Sequence, residues 1–247
     1  MDINPYEPPR NRSATSRTNE IVDRASRDAL AQLVEQYLDE KISAFQVHEA
    51  VERFYSSPDA TVRWVAAELW YFYDDCIDHL VVMQKPTWDL MQRFLLVLKS
   101  DRVIQTSSER HWSWTQLLAL AALVLLGFTT YQVGWGAHLW IVAIPFGLIS
   151  MGIARLNSGP QTAHAYQEIV YPFESIESLA ATYRTTPFRK QRFPRHLEAR
   201  QIRSRFSEAI VRMNTFLFWL VASPLMLALQ SLPSSDGRVA VVCPKAG

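Results

Sequence analysis

Cysteine is scarce in this sequence of 247 residues, and its two copies, Cys76 and Cys243, lie in unrelated contexts. They indicate neither a disulfide framework nor a CxxC metal site. The formal net charge is only +1, which gives no sign of a nucleic-acid-binding protein. The first twenty residues contain no apolar run, so they do not form a secretory signal peptide.

Charged residues are missing from two long stretches of the sequence. No Asp, Glu, Lys or Arg occurs from His111 to Ala154, or from Met213 to Ser235. A membrane-spanning helix needs about 20 apolar residues, whereas a helix buried in a soluble core is usually shorter. The first stretch therefore predicts a transmembrane hairpin at 112–155, and the second predicts a third transmembrane helix at 213–232.

Apolar side chains recur with helical spacing before the first uncharged stretch. Ser43 with Gln46 forms a capping-box pattern, and Asp59 is a suitable N-cap. Pro86 suits the first turn of a further helix. Four short helices with brief connections are therefore predicted in a domain at 19–108. The clearest periodicity is that of the first helix: Ile21, Ala25, Ala29, Leu33 and Tyr37.

These patterns predict an all-α protein, in which a cytoplasmic helical bundle precedes three transmembrane helices arranged as a hairpin plus one. The residues 233–247 that follow the last span are too short to fold alone, and the apolar stretch 239–242 has no evident partner. The predicted segments are a disordered tail at 1–18, the helical domain at 19–108, the hairpin at 112–155, a basic cytoplasmic loop at 156–208, the third span at 213–232 and a tail at 233–247.

The predicted disordered tail carries a short motif, Asn4-Pro5-Tyr6-Glu7-Pro8-Pro9. It resembles the Asn-Pro-Tyr-x-x-Pro leader of many uncharacterised bacterial membrane proteins. The resemblance covers these six residues only. It implies a bacterial origin and implies no chemistry.

Basic residues determine the predicted orientation. Arginine is concentrated in the predicted loop at 156–208, and the turn of the hairpin near 133–137 carries no basic residue. Loops rich in lysine and arginine stay in the cytoplasm. We therefore expect a multi-pass protein of a bacterial inner membrane, with the N-terminus in the cytoplasm and the C-terminus outside.

An acidic group follows the third predicted helix. If that helix continued through Asp74, Asp75 and Asp78, the three carboxylates would cluster within one turn and could bind Mg²⁺. The pattern resembles the aspartate-rich motif with which isoprenoid synthases hold Mg²⁺ and a diphosphate. Those enzymes carry a second acidic motif on a facing helix, and this sequence has none. The other interpretations are a solvated or salt-bridged helix end and a docking surface.

Aromatic residues crowd the same predicted helix. Trp64 and the run Trp70-Tyr71-Phe72-Tyr73 cover too much of its circumference to be buried inside one small bundle. We expect some of them to contact the membrane, the basic loop or another protein.

The sequence contains no phosphate-binding glycine loop, nucleophile elbow or zinc-ligand spacing. We therefore expect a membrane-anchored protein without a cofactor, which acts through protein interaction or scaffolding by its cytoplasmic helical domain. Its partners would be the lipid bilayer and either another protein or further copies of itself, and not nucleic acid. The alternative is a Mg²⁺-dependent enzyme that acts on a diphosphate or lipid substrate at Asp74, Asp75 and Asp78.

Overall fold

The structure, a computed structural model, describes residues 21–72, 76–157 and 169–242. The predicted tail at 1–18 and its leader motif lie outside the described residues. The described chain is mostly helical. Its elements are α1 (Arg24–Leu38), α2 (Ala44–Val51), α3 (Ala60–Trp70), α4 (Lys85–Lys99), β1 (Val103–His111), α5 (Trp114–Val133), α6 (Leu139–Asn157), α7 (Ile176–Thr185), α8 (Arg205–Val221), α9 (Ser223–Gln230) and β2 (Ser234–Val242).

The four predicted N-terminal helices are present as α1 to α4, and their caps explain where they begin. Ser43 and Gln46 form the expected capping box at the start of α2. Asp59 caps α3 by accepting hydrogen bonds from Thr61 N and Val62 N. The helices bury one continuous apolar core, which includes Leu30, Val34, Val62, Val65, Phe94 and Leu95.

The all-α prediction is wrong, because two strands form an antiparallel pair. β1 and β2 are opposed along their whole length, from Val103 opposite Val242 to His111 opposite Ser234. The apolar stretch 239–242 thus has a partner that lies more than a hundred residues away in the chain. The β-branched residues at one end of the pair are buried against the bundle, since Ile104 and Val241 belong to its core.

A disulfide test would check this register. Thr106 and Val239 lie directly opposite each other, and the Cβ atoms of such residues are about 4.5–5.5 Å apart. In a chain with Cys76 and Cys243 replaced by serine, Thr106→Cys with Val239→Cys should form a disulfide on mild oxidation, detected as one cross-linked peptide by mass spectrometry. The control pair, Ser107→Cys with Val239→Cys, should not form a disulfide, because neighbouring strand residues point to opposite faces. Equal cross-linking of both pairs would contradict the register.

Two helices, α5 and α6, are each long and apolar enough to cross a membrane, as the hairpin prediction requires. The third predicted span is not one straight helix. It consists of α8 and α9, which are bent by 75° at their junction. Pro224 lies in the first turn of α9, where its missing N–H is tolerated, but it cannot continue the helix that precedes it.

The strand pairing also fixes where the chain returns after α9. β1 joins the helical bundle to α5, and β2 follows α9 directly. Because the two strands lie side by side, they lie on one side of any membrane that α5 and α6 cross. This pairing does not fit the predicted position of the chain after the third apolar segment, on the side opposite the N-terminal domain, and the topology proposed below takes it into account.

Part of the predicted basic loop packs on the bundle. Phe173 and Leu197 are buried in the same core as α1 to α4. Trp88 Nε1 donates to Gln191 O at 3.2 Å, and Gln191 N donates to the buried Gln92 side chain at 2.8 Å. The described residues between α6 and α8 are thus a structural part of the helical domain.

Candidate functional site

Only one residue of the predicted acidic cluster, Asp78, lies within the described residues. α3 ends at Trp70, so Asp78 does not lie on that helix, and the helical continuation assumed for it is wrong. Asp74 and Asp75 lie outside the described residues. Within the part of the chain that the structure describes, no three His, Cys, Asp or Glu side chains lie close enough to share a metal ion.

Asp78 fastens the segment after α3 to the start of α2. Its carboxylate accepts a hydrogen bond from Phe45 N at 3.1 Å, and the neighbouring His79 O accepts one from Ala44 N at 2.9 Å. Burial alone would raise the pKa of Asp78, but hydrogen bonds from Phe45 N and Ser43 outweigh it and lower the pKa below its ordinary value. The carboxylate therefore stays charged at a helix N-terminus, where negative charge is favoured.

The same corner of the domain exposes large apolar side chains. Trp70 is 49% exposed and Tyr71 is 73% exposed, and their rings meet edge to face with centroids 5.8 Å apart. Ile77 and Leu80 are exposed in the following segment. We call Trp70, Tyr71, Ile77 and Leu80 the aromatic patch. Trp64, by contrast, is covered by Tyr171 from the predicted basic loop, at a ring distance of 5.8 Å.

A small cavity lies beneath the aromatic patch, between α1, α2, α3 and α4. It is lined on one side by Trp70 and on the other by Tyr37, Ala44 and Val47. Its volume of about 20 Å³ has room for about one water molecule. Burial, and secondly the charge of Asp78, raises the pKa of Tyr37 to about 12, so its hydroxyl keeps its proton at neutral pH.

A second cluster is a fully buried ion pair, at the junction of the bundle and β1. Arg27 and Asp59 both have fully buried side chains, and Arg27 Nε donates to Asp59 Oδ2 at 2.6 Å. The guanidinium also donates to Thr61 Oγ1 at 3.1 Å, Ser100 O at 2.8 Å and Arg102 O at 2.7 Å. Because the donors are satisfied within the protein, this cluster holds structure and is not arranged to bind a ligand.

A third cluster lies between α6, α8 and α9. Ser150 Oγ donates to Gln230 Oε1 at 3.0 Å, and Gln230 Nε2 donates back to Ser150 O at 3.0 Å. Trp219 Nε1 donates to Ser150 Oγ at 3.1 Å. Polar groups in an apolar environment must be paired in this way. The network therefore fastens both α8 and α9 to the middle of α6.

Contacts with α6 also locate the bend between α8 and α9. A Cβ atom on Gly147 would lie 2.6 Å from Leu220 Cα, so only glycine permits this approach. Ser223 Oγ donates to Ala143 O at 3.1 Å, which places the bend about 6 Å along the axis from the start of α6 at Leu139. Since Gln230 bonds Ser150, α9 also packs along α6, at 75° to α8.

Sequence reasoning had located the aromatic run, but it missed the other clusters. Arg27, Ser150 and Gln230 carried no motif that would have distinguished them from ordinary polar residues. Their partners lie between 32 and 80 residues away, so no local pattern pairs them. Comparison with models of known families, with characterised proteins and with solved structures finds no match for this chain.

Proposed function

We propose that the protein is a membrane-anchored interaction protein, whose helical domain binds a protein partner through the aromatic patch. One observation carries the proposal: Trp70 is about half exposed and Tyr71 is 73% exposed, side by side at the end of α3. Trp and Tyr are the residues most enriched in the energetically dominant centres of protein interfaces. A contiguous exposed apolar patch on a domain surface is typical of an interaction site.

The patch rests on a rigid base, which supports the same proposal. The segment that carries Ile77 and Leu80 is bonded to the N-terminal end of α2 through Asp78 and His79. Side chains that are already held in place lose little conformational entropy when a partner binds.

A photocrosslinking experiment tests the interaction. The full chain would carry a photoreactive phenylalanine in place of Tyr71, and would be irradiated in the membranes of its host cell. We expect a protein adduct of one defined mass, and we expect Trp70→Ser in the same chain to reduce its yield at least about tenfold, the loss that corresponds to a contact of about 1.4 kcal/mol.

Glu49 is the matched control position, because it is exposed on α2 within the same domain. A photoreactive residue there should give no adduct of that mass. Adducts with lipid alone at Tyr71 would mean that the patch faces the bilayer, which would refute the proposal. An adduct with another copy of the chain would identify the partner as self-association.

We further propose that α5 and α6 cross a bacterial inner membrane, and that α8 and α9 form a re-entrant segment that enters and leaves on the cytoplasmic side. The bend at the level of Ala143 and the return of Gln230 to Ser150 support this arrangement. The arginine-rich residues between α6 and α8 pack on the helical domain, and such a basic segment stays in the cytoplasm.

A further inference from the structure

A groove runs between α6 and α8, and nothing in the proposed interaction surface uses it. It is lined by Met151 and Ala154 from α6, and by Arg212, Phe216 and Trp219 among the α8 residues. Its volume is about 420 Å³, which falls within the range of about 300–1,000 Å³ that is usual for ligand sites. The groove is open along one side, so a long molecule can enter it laterally.

The polar atoms in the lining are already paired, with one exception. Thr215 Oγ1 donates to Val211 O at 2.9 Å, and Trp219 Nε1 donates to Ser150 Oγ at 3.1 Å. Arg212 is the one charged residue in the lining. Its side chain is 83% exposed and only loosely paired with Glu208, at 3.8 Å. An exposed pair at that distance contributes little and leaves the guanidinium available.

The charge and the apolar surface are separated along the groove. Arg212 and Trp219 are seven residues apart on α8, which is about 10 Å along the helix axis. Arg212 is at the end near Ala154 and the last turn of α6, while Trp219 reaches Ser150 in the middle of that helix. A complementary occupant therefore has a negative group at one end and a hydrocarbon chain at the other.

We infer that this groove binds one anionic phospholipid, with its phosphate at Arg212 and an acyl chain between α6 and α8. The inference requires that α6 lies in the bilayer, as proposed above, and it is independent of the aromatic patch. Arginine suits the headgroup because its planar guanidinium donates two parallel hydrogen bonds to a phosphate. The paired polar atoms deeper in the groove leave an apolar wall for the chain.

Native mass spectrometry of the detergent-extracted full chain tests the site, with dioleoylphosphatidylglycerol and dioleoylphosphatidylcholine as probes. We expect phosphatidylglycerol to bind at least about fivefold more tightly, the factor that one basic residue near an anionic headgroup supplies. Arg212→Gln should remove that preference, because it should weaken the binding of phosphatidylglycerol more than that of phosphatidylcholine, whose choline cation already offsets the charge of its phosphate. Ala154→Phe, which fills the groove, should weaken the binding of both lipids.

Arg205→Gln is the matched control, because it removes the same charge from the exposed first residue of the same helix, outside the groove. It should keep the preference for phosphatidylglycerol. The inference fails if the preference survives Arg212→Gln, if Arg205→Gln abolishes it equally, or if Ala154→Phe changes neither lipid. None of these outcomes bears on photocrosslinking at Tyr71, so the two proposals fail separately.

Discussion

A reporter enzyme that is active only outside the cytoplasm should be active when fused after Gly134 and inactive when fused after Val242. Gly134 ends α5 at the turn of the membrane hairpin. Val242 is the last residue of β2, and it lies opposite Val103 at the start of β1. Because β1 leads directly into α5, the proposed topology keeps both strands on the cytoplasmic side. Enzyme activity in whole cells, normalised to the amount of fusion protein, measures the outcome.

A fusion near Gln191 is the internal control, since that residue packs against Trp88 and Gln92 of the helical domain. It should be inactive in either arrangement. A protein with three complete spans would give activity at both Gly134 and Val242. Activity after Val242 would therefore refute the re-entrant arrangement of α8 and α9. If only the fusion after Gly134 is active, the protein has a hairpin and a re-entrant segment and not three spans.

The structural elements that the sequence predicted correctly depend on neighbouring residues. The capping box at Ser43 and the N-cap at Asp59 act within three residues of the chain, and helical periodicity repeats every turn. The hairpin of α5 and α6 follows from length and lack of charge alone. These patterns can therefore be recognised in the sequence without knowledge of any tertiary contact.

The elements that the sequence did not predict depend on distant partners. β1 contains the polar run Gln105-Thr106-Ser107-Ser108, which has no strong strand pattern until β2 pairs with it. Neither strand is stable by itself, and the pairing joins segments on either side of all the membrane helices. Loop-closure entropy must be overcome before such a contact forms, so local sequence carries little information about it.

The predicted acidic cluster illustrates a different point, since only Asp78 of its three aspartates lies within the described residues. Its prediction required α3 to continue beyond Trp70, but Tyr71 N and Phe72 N already bond carbonyls three residues back, in the tight geometry of a helix end. Asp78 then lies in an irregular segment and caps the neighbouring helix α2. A helical template therefore does not apply to Asp78.

The paired strands β1 and β2 connect the helical bundle to the apolar helices α5 and α9, and the base of β1, which is Val103 and Ile104, is the point where the pair meets the bundle. Thr61 Oγ1 accepts a hydrogen bond from Ile104 N at 3.0 Å, at the first buried turn of α3. Arg27 holds the carbonyls of Ser100 and Arg102 immediately before the strand. The buried cluster around Arg27 and Thr61 thus contributes both to the stability of the domain and to the attachment of β1 to it.

Arg27→Met should lower the free energy of unfolding of the helical domain by about 3–5 kcal/mol, because it leaves the buried Asp59 carboxylate without its cation. Arg24→Met is the control: Arg24 lies one turn earlier on α1, its side chain is 40% exposed, and it contacts Asp28, Asp101 and backbone carbonyls at the end of α4. Its loss should cost less, about 1–2 kcal/mol, because no buried charge is left unpaired. Denaturant titration of the detergent-solubilised full chain, followed by circular dichroism, measures both.

A double-mutant cycle separates the ion pair from the general cost of altering a buried site. Asp59→Asn removes the charge and keeps an oxygen that can cap α3 at Thr61 N. Arg27→Met combined with Asp59→Asn should be less destabilised than the sum of the two single changes, by about 0.5–3 kcal/mol, because no unpaired charge remains buried. If the losses in unfolding free energy are additive, the ion pair does not hold the base of β1 to the bundle. The same conclusion would follow if Arg27→Met and Arg24→Met lowered the unfolding free energy equally.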